Sequence, residues 1–341
     1  MIKEQVKSLW KLCFDDSEAF IELYFRLRYN NEVNLAIQSG EEVIAALQML
    51  PYPMTFCNKI VPTSYISGAC THPDYRAKGV MRELLSQSFA RMLRNGVLFS
   101  TLIPAEPWLF GYYAKTGYTP AFRISHKVFS LSELTIGPEP DTMIEETTEY
   151  QEDYYQYLTG KLSERACCLQ HTPTDFKVVL ADLALTQNTV LIARKDNRVT
   201  GIAVVYKHDD SSYINELFAD NEAVRAQLLY RAGLRNGTER IILQLPPVES
   251  LPSVPLGMAR IIDARAVLQL YAAGCPEVEM NIELTDEQLS VNNGYYYLCK
   301  GKCMTSEVRL PGVHTRMTIA ELSEKILAKK SAVVLCNMRR I

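Results

Sequence analysis

The feature that most constrains the fold is a change of hydrophobic pattern within residues 65–93. An apolar run of strand length, residues 65–71, ends just before Pro73, which fixes its own φ and keeps the preceding residue out of the helical region. After Gly79 the apolar residues recur every three or four positions up to Leu93, which is the spacing of an amphipathic helix. The stretch therefore predicts a strand, a tight loop and a helix.

The loop of this stretch has the composition of an anion-binding site. The first backbone N–H groups of a helix lack intrahelical acceptors and carry the positive end of the helix dipole. Gly79 lets a ligand approach the backbone, and Arg76 and Lys78 add positive charge. The loop lacks the Gly-Lys-Ser/Thr ending of a P-loop and the glycine spacing of a dinucleotide fingerprint. By itself, Arg-x-x-Gly is better explained as the basic, solvated start of an ordinary helix.

The segment Arg76-x-x-Gly79-x-Met81, after a strand and a proline, resembles the pyrophosphate-binding motif of the GNAT superfamily of N-acetyltransferases. Met81 stands where that family has a small residue, but the form Arg-x-x-Gly-Val-Met-Arg is similar to that of the Eis-type branch, which carries extra domains. A second GNAT signature, Tyr-x-x-x-Gly-Tyr, closes a short predicted helix from Tyr113 to Tyr118. Each signature alone is weak, and the resemblance rests on both in this order.

The order of elements around the two signatures is that of the GNAT fold, a mixed α/β fold. Two helical stripes over residues 6–28 precede predicted strands at 34–38 and 43–50, and prolines punctuate the chain from Pro51 onward. After the central helix, a strand at 97–103 is expected to lie beside the preceding one through a right-handed crossover. The resemblance implies that these two strands splay apart and that the thioester of acetyl-CoA lies in the gap.

The resemblance covers nearly all of the 341 residues and implies three domains. Residues 1–135 would form the catalytic GNAT domain, residues 136–255 a degenerate GNAT-like domain, and residues 256–341 a small sterol-carrier-protein-like α+β domain. Stretches rich in proline and glycine at 137–141 and 246–257 mark the two boundaries.

The middle domain repeats the order of elements of the first, which indicates an internal duplication. Asp220 and Glu222 place negative charge at the position where the first copy would bind phosphate. We therefore expect the second copy to be structural, without bound CoA.

Local signals also predict helix starts and the elements of the last domain. Ser17 is an N-cap signal for the second helix, and Thr318 with Glu321 forms a capping box. In the last domain, strands are predicted at 278–284, 289–291, 295–300 and 332–336.

The implied reaction moves an acetyl group from acetyl-CoA to an amine. An unperturbed lysine-like amine has a pKa of about 10.4, so a base must take its proton. The departing CoA thiolate, whose acid has a pKa of about 8.5, gains from a nearby proton donor. Tyr113 matches the general-acid tyrosine of the family and Tyr112 is the alternative, while both also fit as amphipathic core residues.

The base is less defined by the sequence. The Eis-type resemblance implies that the C-terminal carboxylate, here on Ile341, enters the active site as the base. An unperturbed α-carboxyl has a pKa of about 3.5, so desolvation would have to raise it, and a solvated tail fits the sequence equally well. Glu106 is another candidate for the base, but it is as well explained as a surface carboxylate. His72 and His126 are also possible bases, although loop or surface roles explain them better.

The predicted cofactor is acetyl-CoA as cosubstrate, without a metal. The resemblance implies that the pantetheine arm is held by the backbone of Ala69, Cys70 and Thr71, and the pyrophosphate by Arg76, Ala77, Lys78, Gly79, Val80 and Met81. The pair Cys167-Cys168 and the pair Cys299-x-x-x-Cys303 lack further His or Cys at zinc-ligand spacing, so incidental cysteines explain them better.

Composition limits the partners and the compartment. With 48% hydrophobic and 22% charged residues, the chain is an ordinary globular protein, and a net charge of -3 argues against a nucleic-acid or anionic-membrane partner. There is no apolar run of membrane-spanning length and no signal peptide at the start, and nine scattered cysteines favour reduced thiols in the cytoplasm. The resemblance implies a small-molecule or peptide amine as acceptor and a homo-oligomer.

A different class of function also fits the sequence. The protein would then be a non-catalytic binder of a ligand or partner, with a vestigial CoA site. Release of thiol from acetyl-CoA in the presence of amines distinguishes the two hypotheses, and transfer of a longer acyl group remains a third.

Overall fold

The structure, a computed structural model, describes residues 2–135 and 142–327. These residues form two compact units: the first contains residues 2–122 and 255–327, and the second contains 123–135 and 142–254. Residues 255–327, assigned above to a third domain, group with the N-terminal residues. The three-domain division stays a prediction. The predicted linker at 137–141, the predicted strand at 332–336 and Ile341 lie outside the described residues.

The helices and strands follow one another along the chain as three successive segments. The N-terminal segment has α1 (Ile2–Cys13), α2 (Glu18–Leu27), β1 (Asn34–Ser39), β2 (Glu42–Phe56), β3 (Lys59–Thr71), α3 (Val80–Arg94), β4 (Phe99–Leu102) and α4 (Leu109–Ala114). The middle segment has β5 (Thr119–Ser130), β6 (Thr142–Thr147), α5 (Glu152–Ser163), α6 (Pro173–Leu185), β7 (Thr189–Lys195), β8 (Arg198–His208), β9 (Ser211–Ala219), α7 (Glu222–Asn236) and β10 (Arg240–Leu245). The C-terminal segment has β11 (Ser253–Ile261), α8 (Ala264–Gly274), β12 (Met280–Thr285), β13 (Gly294–Cys299), β14 (Lys302–Ser306), β15 (Thr315–Thr318) and α9 (Ile319–Leu327).

The first unit is built on a mixed sheet with the order β1-β2-β3-β4-β11. The strands β1, β2 and β3 are antiparallel neighbours, whereas β3 and β4 are parallel and connected through α3. The strand β11 pairs antiparallel with β4. The strands β12 to β15 form a separate sheet with the order β14-β13-β12-β15. The core of α3 against the first sheet contains Leu47, Met49, Ile66, Leu84, Leu85, Phe89 and Met92.

The second unit repeats this order of elements, as the sequence predicted. Its sheet has the order β10-β9-β8-β7-β6, with β9 and β10 parallel and connected through α7. Two helices, α5 and α6, precede the antiparallel neighbours β7, β8 and β9. The mixed α/β fold class predicted from the sequence is thus confirmed in both units.

The capping signals are confirmed as well. The Ser17 side chain accepts a hydrogen bond from the Phe20 N–H at 3.3 Å at the start of α2. At the start of α9, Glu321 accepts from the Thr318 N–H at 2.7 Å, and Thr318 accepts in return from the Glu321 N–H at 3.3 Å. Both are relations between residues three positions apart, which a sequence pattern captures.

Two strand predictions near prolines and turns were wrong in extent or type. The strand β2 continues through Pro51 and Pro53 to Phe56, where the sequence predicted a break. In the described residues, β1 pairs with β2 only as far as Gln48, so both prolines lie where β2 pairs with β3 but not with β1. A proline is tolerated there because its missing N–H is not needed to pair β2 with a second neighbouring strand.

The predicted strand at 289–291 is instead a short 3₁₀ helix, Ser290–Asn292. The Asp286 carboxylate accepts from the N–H groups of Gln288 at 2.9 Å and Leu289 at 3.1 Å, which turns the chain away from β12.

A bulge in β3 shapes the strand that leads to the loop. Ala46 pairs with Cys70 and Gln48 with Ser67, so Gly68 and Ala69 together lie opposite the single residue between Ala46 and Gln48. Gly68 has a φ of +57°, and a Cβ there would lie 2.0 Å from an atom of the buried Trp10 ring. The indole of α1 thus packs directly on the bulged backbone, which only glycine allows.

We expect Gly68→Ala to lower the free energy of unfolding by about 3 kcal/mol, because the new methyl group must displace the Trp10 ring and adopt a left-handed backbone. Gly40→Ala is the matched control, since Gly40 has a φ of +62° but open space around its Cβ position. That variant should lose only about 1 kcal/mol. Urea denaturation followed by tryptophan fluorescence measures both, and equal losses would contradict the packing argument.

Candidate active site

The loop between β3 and α3 places two left-handed residues before an uncapped helix start. A 3₁₀ turn, Pro73–Tyr75, leaves the end of β3, and Ala77 and Gly79 then adopt φ values of +60° and +81°. Gly79 is the N-cap residue of α3 and has no side chain to accept from the first turn. A Cβ at Gly79 would meet no atom within 4 Å, so the space beside it is open.

The backbone N–H groups in this loop are left without protein acceptors. The Arg76 N–H donates to the Pro73 carbonyl at 3.2 Å, and the Glu83 N–H donates to the Gly79 carbonyl at 3.0 Å. Between them, the N–H groups of residues 77–82 make no hydrogen bond within the described part of the chain. Together with the helix dipole, these donors form an electropositive site at the N-terminus of α3.

The corresponding helix of the second unit is closed by its own side chains. Asn221 accepts from the Val224 N–H at 2.9 Å and so caps α7. Asp220 lies 3.3 Å from Lys161 Nζ and accepts from the Tyr157 hydroxyl at 3.0 Å. The sequence-based expectation that this copy binds no CoA remains a prediction, and this capping supports it.

The strand β3 extends well beyond its parallel partner β4. Pairing between the two strands ends at Tyr65 and Thr101, while β3 continues to Thr71. Residues 66–71 therefore have no β4 partner among the described residues. The Thr71 hydroxyl in this stretch is buried and has no hydrogen-bond partner in the described part of the chain. A gap next to β3 is what the resemblance implied, and it lies beside the predicted pantetheine residues 69–71.

Arg76 folds back onto the end of β3 and meets a cysteine that sequence reasoning missed. Its Nε donates to the Thr71 carbonyl at 3.2 Å, and its Nη2 lies 3.8 Å from Cys13 Sγ. A hydrogen bond from Cys70, followed by the Arg76 charge, lowers the pKa of the Cys13 thiol to about 6. The pKa of the Cys70 thiol is raised, first by its contact with Cys13 and then by burial. Cys13 only completes an apolar stripe in the sequence, so no local signal could have assigned it to this site.

Three tyrosines of the second signature region have different environments. The Tyr118 hydroxyl shares a 2.6 Å hydrogen bond with the hydroxyl of Ser100. The Tyr113 side chain on α4 is buried, yet its hydroxyl makes no hydrogen bond within the described residues. Burial raises the pKa of Tyr113 above its ordinary value, with smaller contributions from Tyr112 and Cys70. Tyr113 is therefore a protonated donor, near Cys70, with no partner in the described residues.

Tyr112 faces an open cleft instead. This cleft has a volume of about 210 Å³ and is lined by Arg82, Tyr112, Lys115, Thr116 and Glu287. Burial raises the pKa of Tyr112 too. Its cleft includes three charged side chains, whereas Tyr113 is buried within the apolar core of α3 and the sheet, against which Tyr112 packs while only partly buried. The geometry thus separates the two candidates for the acid.

The candidates for the base are less favourably placed. The His72 side chain accepts from the Asp74 N–H at 3.3 Å in the loop, and Glu106 is exposed before α4. His126 is exposed and belongs to the second unit. Ile341 lies outside the described residues. Among the described residues, no group of three or more His, Cys, Asp or Glu side chains could hold a metal ion.

The comparison with protein families matches the part of the chain that carries the loop and Tyr113. Residues 3–121 match the family model described as an acetyltransferase (GNAT) domain. This part of the chain is thus similar to a GNAT acetyltransferase domain, and the protein is an enzyme of the acyltransferase class. Domains of this family use acetyl-CoA and act on amines of small molecules or peptides. No curated protein sequence matches the chain significantly.

Solved structures with the same fold cover most of the chain. A GCN5-related N-acetyltransferase from Anabaena variabilis is 16% identical with a TM-score of 0.74, over 94% of this chain and 86% of that chain. A probable N-acyltransferase from Enterococcus faecalis is 14% identical with a TM-score of 0.77, over the same shares of the two chains. Eis1 from Mycobacterium abscessus is 13% identical with a TM-score of 0.71, over 96% of this chain and 87% of that chain. At these identities the likeness shows the fold alone. No helix within the described residues is long and apolar enough to cross a membrane.

The low pKa of Cys13 predicts how this thiol reacts. We expect its rate of alkylation by iodoacetamide to rise with a midpoint near pH 6, because the thiolate is the nucleophile. Cys70→Ala, which removes the main donor to Cys13, should move the midpoint towards the ordinary value of about 8.5. Cys70→Ser keeps a donor and serves as the control. Peptide mass spectrometry follows the labelling, and an ordinary midpoint in the unaltered protein would contradict the assignment.

Proposed function

We propose that the protein is an N-acetyltransferase that moves an acetyl group from acetyl-CoA to a primary amine of a small molecule or peptide. The observation that carries this proposal is the row of backbone N–H groups without protein acceptors, residues 77–82, at the start of α3. Such donors can bind an anion together with the helix dipole, and a diphosphate presents several acceptor oxygens at once.

The CoA moiety would be held along β3 and the loop. In this proposal the backbone of Ala69, Cys70 and Thr71 contacts the pantetheine arm beside the part of β3 that has no β4 partner among the described residues. The partnerless Thr71 hydroxyl gives one polar group for that arm. The diphosphate is bound by the backbone of residues 76–81 and by the charges of Arg76 and Lys78. Lys78 lies with its Nζ 5.3 Å from the centre of the Tyr75 ring, at the edge of the same loop.

Tyr113 would assist departure of the CoA sulfur. The amine nitrogen forms a bond to the acetyl carbon, the bond from that carbon to sulfur breaks, and the CoA thiolate takes up a proton from solvent after it departs. A hydroxyl with a pKa above about 10 is a weaker acid than a thiol of about 8.5, so full transfer from Tyr113 is uphill. Its role is therefore to donate a hydrogen bond as charge develops on the sulfur, a contact absent from the ground state.

The C-terminal carboxylate of Ile341 is the proposed base, a role that rests on the Eis-type resemblance. The α-carboxylate would take the proton that the amine loses on attack. Extension of the chain by a few residues past Ile341 should abolish turnover and leave acetyl-CoA affinity intact, because the carboxylate moves but the loop does not. Calorimetry and thiol release measure the two quantities. Unchanged turnover would exclude this base and leave Glu106 and His72 to be tested.

The cofactor assignment predicts that Gly79→Glu weakens binding of acetyl-CoA at least tenfold, since a carboxylate would project over the unbonded N–H groups and repel the diphosphate. Gly96→Glu is the matched control at the other end of α3. Gly96 also has a positive φ, +71°, and open space at its Cβ position. Calorimetry with acetyl-CoA compares the two variants, and equal affinities would contradict a diphosphate site at this loop.

The role of Tyr113 predicts that Tyr113→Phe lowers kcat by about 100-fold or more, the ordinary loss when one hydrogen-bond donor to a developing charge is removed. Tyr112→Phe is the control and should change kcat little. Because the pKa of Tyr113 is raised, the unaltered enzyme should not lose activity through this group below pH 10. Steady-state thiol release from acetyl-CoA measures each variant, and equal kcat values would remove Tyr113 from the mechanism.

The same assay tests the alternative function. A non-catalytic binder with a vestigial CoA site would bind acetyl-CoA but release no thiol with any of a panel of primary amines. Thiol release that depends on an amine would exclude the binder.

A further inference from the structure

A fully buried arginine connects the C-terminal segment to the end of α4. Arg260 on β11 and Asp286 after β12 both have side chains with 0% exposure, and Arg260 Nη2 donates to Asp286 Oδ2 at 2.6 Å. Removal of two charges from water costs several kcal/mol for each ion. A well-packed apolar pair in the place of a buried ion pair often gives a protein that is at least as stable. The pair therefore needs an explanation other than stability.

All three nitrogens of the Arg260 guanidinium donate hydrogen bonds. Its Nη1 donates to the Thr116 carbonyl at 2.6 Å, and its Nε donates to the Ile261 carbonyl at 3.2 Å. The guanidinium carbon lies 4.2 Å from the centre of the Phe89 ring on α3. A planar guanidinium can satisfy a carboxylate and a carbonyl at fixed angles, which an ammonium group cannot do.

Both oxygens of the Asp286 carboxylate also accept hydrogen bonds. Besides Arg260, it accepts from Asn292 Nδ2 at 2.9 Å and from the N–H groups of Gln288 and Leu289. Each oxygen thus has at least two donors, so the carboxylate is held rigidly and in turn holds Arg260 in one orientation.

The Thr116 carbonyl is the point at which this network reaches the tyrosines. The N–H and the hydroxyl of Thr116 both donate to the Tyr113 carbonyl, at 2.9 Å and 2.8 Å. Two residues further, Tyr118 is fixed by Ser100, and its ring lies 5.8 Å from that of Tyr113. Arg260 therefore fixes the turn that ends α4, and this turn sets the position of Tyr113.

We propose that Arg260 is a positioning residue for acetyl transfer, which acts through the Thr116 carbonyl to hold the Tyr113 hydroxyl in its place near Cys70. The inference rests on the proposed function, because it assumes that Tyr113 assists the departing sulfur. Arg260 itself does not touch the substrates. Its effect is on kcat, since a displacement of about 1 Å of a catalytic group can lower the rate about 100-fold.

The test uses a variant that removes both charges and keeps most of the other hydrogen bonds. In Arg260→Met with Asp286→Asn, the amide oxygen at position 286 still accepts from Gln288 and Leu289. We expect this double variant to keep its acetyl-CoA affinity within about threefold and to lose about 100-fold in kcat. Arg165→Met with Glu216→Gln is the control, because it removes an ion pair of the second unit with a distance of 2.9 Å, in which Glu216 is buried and Arg165 is partly buried. That variant should keep its kcat.

A positioning role is separated from a general structural role by repeating the measurement in Tyr113→Phe protein. Without the hydroxyl there is nothing left to position, so the Arg260→Met, Asp286→Asn change should then lower kcat less than threefold. The same loss in both backgrounds, or an unchanged kcat in the folded double variant, would overturn the inference.

Two further results keep the outcomes distinct. If circular dichroism shows that the double variant does not fold, Arg260→Lys decides, because it keeps the charge but cannot bridge Asp286 and the Thr116 carbonyl. It should lower kcat about tenfold in Tyr113 protein and not in Tyr113→Phe protein, and equal losses would overturn the inference. If the unaltered protein releases no thiol, the proposed function itself fails. If Tyr113→Phe retains full kcat, acetyl transfer stands but Tyr113 has no role in it, and the inference about Arg260 is overturned.

Discussion

The first unit depends on a helix that begins without a cap. Most helices satisfy their first N–H groups with a side chain of their own, as α7 does with Asn221. At the start of α3, Gly79 offers no such side chain, and the left-handed residues Ala77 and Gly79 leave the N–H groups of residues 77–82 without described acceptors. A helix start of this kind is suited to bind an anion, so the same glycine that shapes the loop also leaves its N–H groups available to a ligand.

The rest of the first unit shapes the strand that leads to α3 and the turn that follows α4. Trp10 packs on the bulge at Gly68 and fixes the strand that leads to the loop. The early end of β3–β4 pairing leaves residues 66–71 of β3 without a β4 partner among the described residues, and Cys70 in this stretch contributes to the raised pKa of Tyr113 on α4. From the other side, β11 pairs with β4, and Arg260 on that strand fixes the turn after α4. Residues 255–327 thus complete the unit that carries the candidate site.

Much of this could be predicted from the sequence where the cause is local. The strand, loop and helix at 65–93, the N-cap at Ser17 and the capping box of Thr318 and Glu321 were all predicted, because the residues involved are within a few positions of one another. The mixed fold and the acetyltransferase class were also predicted, because the two signatures are short motifs that can be read from a single sequence. The roles of the site residues remain predictions, although the loop geometry and the environment of Tyr113 support them.

Only the tertiary structure decided the contacts between residues that are far apart in the chain. Cys13 meets Thr71 across 58 positions, and Arg260 meets Thr116 across 144, and neither pair leaves a periodic pattern in the sequence. Pro51 and Pro53 looked like a break because a pattern cannot show that β1 stops pairing at Gln48. Local sequence sets backbone preference and capping, whereas partners for buried charges and strand edges are set only when the chain folds, because they depend on which distant segments become neighbours.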